Sequence, residues 1–199
     1  IKKLNKKLEF EKLMKISIIT PVLNIDQRLI KLKSSFGTNS KNLFNWIIIG
    51  NKQNKKRFKK IKSKNKIFFF LEQTDKGIYS AINEGLSSKV IKQYYLVLGQ
   101  DDCVINKNLF QELTEQINLD IKCDFAADIY ELNTFSEYKK ELSKISKLKQ
   151  NFSPIFNHHS GGMLIKTVLH KKYGLYDEKY RLASDYKFLK KIKKNIFIK

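Results

Sequence analysis

The chain has 199 residues, the size of one domain (typically ~100–200 residues) and enough to bury a core of its own. With 42% hydrophobic and 12% aromatic residues it has the apolar surface to offset the entropy of ordering, which excludes a disordered segment. Its 40 Lys and Arg against 19 Asp and Glu give a formal net charge of +21, attractive to phosphates and anionic lipid, but the lysines run from Lys2 to Lys199 without the aromatic interleaving of an RNA-reading module, so no nucleic-acid partner is expected.

Residues 1–13 carry a charged helical pattern ahead of Met14 and are read as an extension outside the fold; residues 14–199 are read as a single domain whose C-terminal part stops short. The extension has no signal-peptide core, and no run approaches the ~18 apolar residues of a membrane span. Cys103 and Cys123 show neither disulfide-framework nor metal-site spacing. A cytoplasmic protein is expected, its lysines forming either a solvated surface or a peripheral contact at the inner face of the plasma membrane.

From Lys15, short β-rich runs alternate with helical ones: KISIIT, a polar stretch, NWIIIG, a basic stretch, KIFFFLE, GIYSAINEGLSS and QYYLVLG. Apolar runs of strand length imply strands covered on both faces, so the pattern predicts an α/β domain with a doubly wound, mostly parallel sheet. Ligands of such sheets bind at the carboxyl ends of the strands. Beyond Asn106 the sequence reads as a helix (NLFQELTEQI), a strand (CDFAADIYEL), a basic stretch, a loop (NFSPIFNHHSGG), a short strand (MLIK) and two helices.

Four places along this order invite chemistry. Asp101 and Asp102 follow a strand directly; adjacent carboxylates repel, and Mg²⁺ or Mn²⁺ bridging a diphosphate would relieve them, although the spacing suits a turn or a cap for the helix near Asn106 equally well. Thr74 or Asp75, ahead of GIYSAINEGL, has the character of an N-cap. His158 and His159 stand beside a glycine pair at the entry to a strand, where backbone approaches a ligand closely, but lack the third ligand of a zinc site. Asp185 in RLASDYKFLKK lies near the start of an amphipathic helix, a position as typical of a cap as of a catalyst.

Taken together, KISIITPVLN, EQTDKGIYSAINEGL, YYLVLGQDD and HHSGGMLIKTVLHKKYGLYDEKYRLASDYKFLKK resemble, in order, the blocks of glycosyltransferase family 2, the inverting GT-A enzymes of bacterial surface-polysaccharide synthesis. The second resembles the family's E-x-D-x-G-I-Y-D-A-[ML]-N-x-G block; the fourth resembles its acceptor-side block, in which a G-[LF]-[YF]-D-E segment leads to an A-[SA]-D-Y helix. The resemblance implies a GT-A fold and transfer of a sugar from a nucleotide-diphosphate donor, with a UDP-sugar expected, to a polysaccharide or lipid-linked acceptor. It implies that Thr20, Pro21 and Asn24 shape the floor of the nucleotide site, that Asp75 contacts the nucleoside, and that Asp101 and Asp102 hold the ribose and the metal-bound diphosphate. Asp185 becomes the general base, and His158 or His159 steadies diphosphate or acceptor. The sequence departs from the family where Gly50-Asn51-Lys52-Gln53-Asn54-Lys55 replaces Asp-Gly-x-Ser-x-Asp, and where Ser80 follows Ile-Tyr in place of Asp. An inactive relative that binds sugar or nucleotide is the alternative these departures suggest.

Overall fold

The computed structural model describes residues 14–37, 42–62, 67–73, 77–122, 127–132 and 162–199. Four strands, β1 (Ile16–Pro21), β2 (Phe44–Gly50), β3 (Phe68–Glu72) and β4 (Tyr94–Val97), alternate with α1 (Gln27–Ser35), α2 (Asn54–Ile61) and α3 (Ile78–Ser87). There follow α4 (Leu109–Lys122), β5 (Ile129–Glu131), β6 (Met163–Lys166), α5 (Val168–Tyr173) and α6 (Ser184–Ile192). The sheet order is β3-β2-β1-β4-β6-β5; β1 to β4 run parallel, and β6 is antiparallel to both β4 and β5.

Side chains alternate across the sheet with the two-residue period of a strand, so each apolar strand feeds two cores. Ile16 and Ile18 of β1 with Trp46 and Ile48 of β2 face α1, α2 and α4, meeting Leu29, Leu32, Phe58 and Phe110. Ile19, Ile47 and Ile49 face α3 and α6 on the other side, meeting Ile82, Leu86, Phe188 and Leu189. Both faces are covered, which is why the strands read as continuous apolar runs.

Helix starts differ from the sequence-based expectation. Gly77, with φ 96°, is the N-cap of α3 and contributes no side-chain bond; Thr74 and Asp75, the expected caps, lie outside the described residues. Ahead of α4 it is Asn106 that bonds Asn108 N at 2.9 Å, whereas Asp102 turns back to Gly99. Local hydrogen-bonding competition among neighbouring polar side chains decides such starts, and sequence leaves it open. The expected strand CDFAADIYEL is, among the described residues, the three-residue β5.

Candidate active site

The carboxyl ends of β1, β2 and β4 meet at one edge, as parallel connectivity requires. After β1 the chain turns through Pro21 to an exposed Asn24, while Thr20 is fully buried and its Oγ1 accepts from Trp46 Nε1 at 2.9 Å. Thr20 therefore anchors the end of β1 from inside the core. The turn is locked from the start of α2: Asn54 is buried, donates Nδ2 to Leu23 O at 2.9 Å, and accepts from Ile25 N at 2.8 Å.

This amide lock bears on Gly50, one of the two positions where the resemblance expects a carboxylate. A Cβ at Gly50 would lie 2.8 Å from Val22 Cγ2 and 3.1 Å from both Val22 O and Asn54 Nδ2, so a side chain there forces the β1 turn outward. Asn51 Oδ1 accepts from Asn54 N at 3.2 Å and from Asn54 Nδ2 at 3.1 Å, which engages its amide in the turn.

At the end of β4, Asp102 Oδ2 accepts from Gly99 N at 2.7 Å. A Cβ at Gly99 would meet Asp101 Oδ1 at 2.9 Å and Asp102 Oδ2 at 3.4 Å; its absence lets both carboxylates fold over the strand end. Asp102 as a residue is exposed, but its carboxylate end is partly enclosed, and that enclosure raises its pKa above the ordinary carboxylate value. The Gly99 amide works against the rise and the charge of Asp101 adds to it. Arg28 lies alongside: it pairs with Asp26 at 2.7 Å, and Asp101 also favours its charged form. With its amide oriented to satisfy both neighbours, Gln100 donates to Asn24 O at 2.8 Å and accepts from Arg28 Nη2 at 2.7 Å, tying the β1 turn to the aspartate pair. Sequence reasoning missed Arg28 and Gly99; only Gly99, close to the pair, carried a local signal.

Asp185 lies in the first turn of α6 and is 7% exposed. Ala183, a non-glycine residue at φ 63°, redirects the chain into that helix, a left-handed conformation costing about 1–2 kcal/mol. Tyr79 Oη, from the first turn of α3, donates to Asp185 Oδ1 at 2.8 Å. Because α3 starts just after the carboxyl end of β3, this bond sets Asp185 at the same edge of the sheet as Asp101 and Asp102. Asp75, His158 and His159 lie outside the described residues.

Behind Asp185 is a buried polar cluster. Tyr95 Oη bonds both His170 Nε2 and Tyr176 Oη at 2.6 Å, and His170 stacks on Phe188 at 4.1 Å between ring centres. Burial pushes the His170 pKa down from 6.5 to about 4. The unfolded imidazole takes a proton near pH 6.5 and the folded one only near 4, so stability is full above that window and falls as pH drops through it. Urea unfolding at pH 7 and pH 4.5 is expected to show the wild type losing about 2–3 kcal/mol more than His170→Gln across that step.

No protein-family model matches the chain, and no curated protein matches it in sequence. Solved structures do. Staphylococcus aureus TarS, residues 1–349, superposes with a TM-score of 0.70 at 18% identity over 93% of this chain and 57% of that one. The mannosyltransferase PcManGT from Pyrobaculum calidifontis, solved with GDP-Man and Mn²⁺, gives 0.66 at 11% identity over 92% and 53%. GalNAc-T7, solved with UDP, GalNAc and Mn²⁺, gives 0.59 at 14% identity over 94% and 42%. The chain has a GT-A fold. It spans little more than half the length of the TarS fragment it matches.

Proposed function

We propose that the chain is the donor-binding and catalytic domain of an inverting glycosyltransferase of family 2, moving a sugar from a nucleotide diphosphate, with UDP-sugar the expected donor, to a polysaccharide or lipid-linked acceptor. The observation that carries this reading is Asp185, a buried carboxylate fixed by a hydroxyl from α3, at the sheet edge where Asp101 and Asp102 crowd the end of β4. Structurally similar proteins bind nucleotide sugars, among them TarS in complex with UDP-GlcNAc, and this supports the donor class.

In this mechanism the acceptor hydroxyl gives its proton to the Asp185 carboxylate as its oxygen attacks the anomeric carbon. The bond from that carbon to the diphosphate breaks, and the diphosphate leaves with the electron pair. One base suffices because the leaving group is already activated, unlike the two-carboxylate chemistry of glycosidases. Asp101 and Asp102 suit Mg²⁺ or Mn²⁺: hard carboxylate oxygens, completed by phosphate oxygens and water, are the usual set for these ions. Among the described residues no group of three or more His, Cys, Asp or Glu could hold a metal ion, so donor and metal are expected to bind together. An ion held by Asp101 and Asp102 would supply charge neutralisation for the diphosphate as it departs. Arg28, beside Asp101, offers a second positive charge to the same phosphates. Asp75 is assigned to the nucleoside, and His158 and His159 to the diphosphate or acceptor.

Among the described residues no helix is long and apolar enough to cross a membrane. Contact with a lipid-linked acceptor is assigned to peripheral attachment at the inner face of the plasma membrane, driven by the +21 charge and most densely by exposed lysines of α2 such as Lys55, Lys56, Lys59 and Lys60. A second reading, a sugar- or nucleotide-binding relative without activity, rests on Gly50 and on the engaged amide of Asn51. Thermal shift with UDP, GDP, dTDP and UDP-sugars, with and without Mn²⁺, separates the two when paired with product detection. A metal-dependent shift with one nucleotide plus sugar transfer is expected; the shift without transfer supports the inactive relative, and no shift with any donor sinks both.

A further inference from the structure

We infer that Tyr79 is a positioning residue for the proposed general base: its hydroxyl aims the Asp185 carboxylate and stabilises it as the anion. The inference rests on the glycosyltransferase reading for the role of Asp185, and on the structure for everything else. Two donors converge on Asp185 Oδ1, Tyr79 Oη at 2.8 Å and Tyr186 N at 2.9 Å. The tyrosine is 9% exposed and the aspartate 7%, and in such an enclosure an ionised carboxylate persists only where donors replace water. Burial, then the bond to Asp185, raises the Tyr79 pKa, so the phenol keeps the proton it donates through the neutral range.

The same helix face grips the segment that carries the base. Asn83 lies one turn after Tyr79, on the same side of α3. Its Nδ2 donates to Tyr176 O at 2.8 Å and its Oδ1 accepts from Tyr176 N at 3.0 Å, which pins the chain ahead of α6 through both backbone groups. Without that registration Tyr79 would have no fixed partner, since 106 positions separate it from Asp185.

Among the described residues, titratable groups packed around Asp185 include Tyr79 from α3, Tyr95 from β4, Tyr176 ahead of α6 and, beyond these tyrosines, His170 from α5. All are uncharged near neutral pH: burial raises the phenols and lowers the imidazole. Of the charged side chains nearby, Lys187 is turned to Asp177 at 2.6 Å and Glu178 to Asn83 at 3.0 Å.

Tyr79→Phe removes the hydroxyl and keeps the ring that packs on Tyr176 at 5.6 Å, so melting temperature is the control for folding. The decisive measurement is a ¹³C-carboxyl NMR titration of Asp185 in the folded protein, its signal assigned by its loss in Asp185→Asn. In Tyr79→Phe, which removes a donor from the carboxylate, the midpoint is expected to rise, and the acid limb of kcat/KM to move with it while the donor KM stays put. A midpoint and acid limb that do not move overturn the inference. The titration needs no turnover: a raised midpoint in a chain that transfers no sugar keeps the Tyr79–Asp185 coupling and removes the glycosyltransferase reading, whereas transfer with an unmoved midpoint does the reverse.

Discussion

Asp185→Asn is expected to lower sugar transfer by about 10³-fold while leaving donor affinity and melting temperature close to wild type. The substitution keeps the shape of the side chain, and its amide oxygen still accepts from Tyr79 Oη and from Tyr186 N, the two bonds that hold Oδ1. What disappears is basicity. The acceptor hydroxyl then attacks without a proton acceptor at hand, a loss that falls on kcat and kcat/KM together because it is confined to the transition state. Steady-state kinetics with a saturating donor measures it. Activity within tenfold of wild type would show that Asp185 is a structural acceptor for Tyr79 and nothing more, and the base would have to be sought elsewhere.

Much of the fold was legible because it is written in local periodicity. Strand-length apolar runs such as NWIIIG point to β2 because both its faces meet a core, Trp46 and Ile48 on one side and Ile47 and Ile49 on the other. MLIK coincides with β6, Met163–Lys166, for the same reason. The antiparallel order of β6 between β4 and β5 was not legible, since nothing in a short apolar run states its partner or direction.

At the candidate site, the sequence singles out the carboxylates and is silent on what holds them. Asp101, Asp102 and Asp185 are chemical oddities in their segments and draw notice one by one. The bond from Tyr79 to Asp185 and the clamp of Asn83 on Tyr176 join α3 to segments 93 or more positions away, a distance that no spacing rule spans. In the sequence, Gly50 left base recognition open: altered, passed to Asp75 and Asn51, or lost. The structure gives it a packing reason: Val22 and Asn54 occupy the place of a Cβ, and Asn54 holds the β1 turn in exchange.

Asp102→Ala is expected to abolish Mn²⁺-dependent stabilisation by the nucleotide donor and to lower transfer by about 10²–10³-fold at a fixed donor concentration, with little effect on folding. The carboxylate bonds Gly99 N, a loop amide at an exposed residue, so removing it leaves no large cavity and no deeply buried donor stranded. It does remove one of the two charges that oppose each other across Gly99, and Asp101 alone then has less need of a cation. Thermal shift with UDP plus Mn²⁺ reads the effect directly: the wild type should gain stability with the pair beyond what either gives alone, and the variant should not. Because enclosure and Asp101 raise the Asp102 pKa, the wild-type gain should also fade on acidification earlier than an ordinary carboxylate would allow. If Asp102→Ala keeps the full metal-dependent shift, the cation is held elsewhere. The aspartate pair would then be the turn that its spacing alone equally permits.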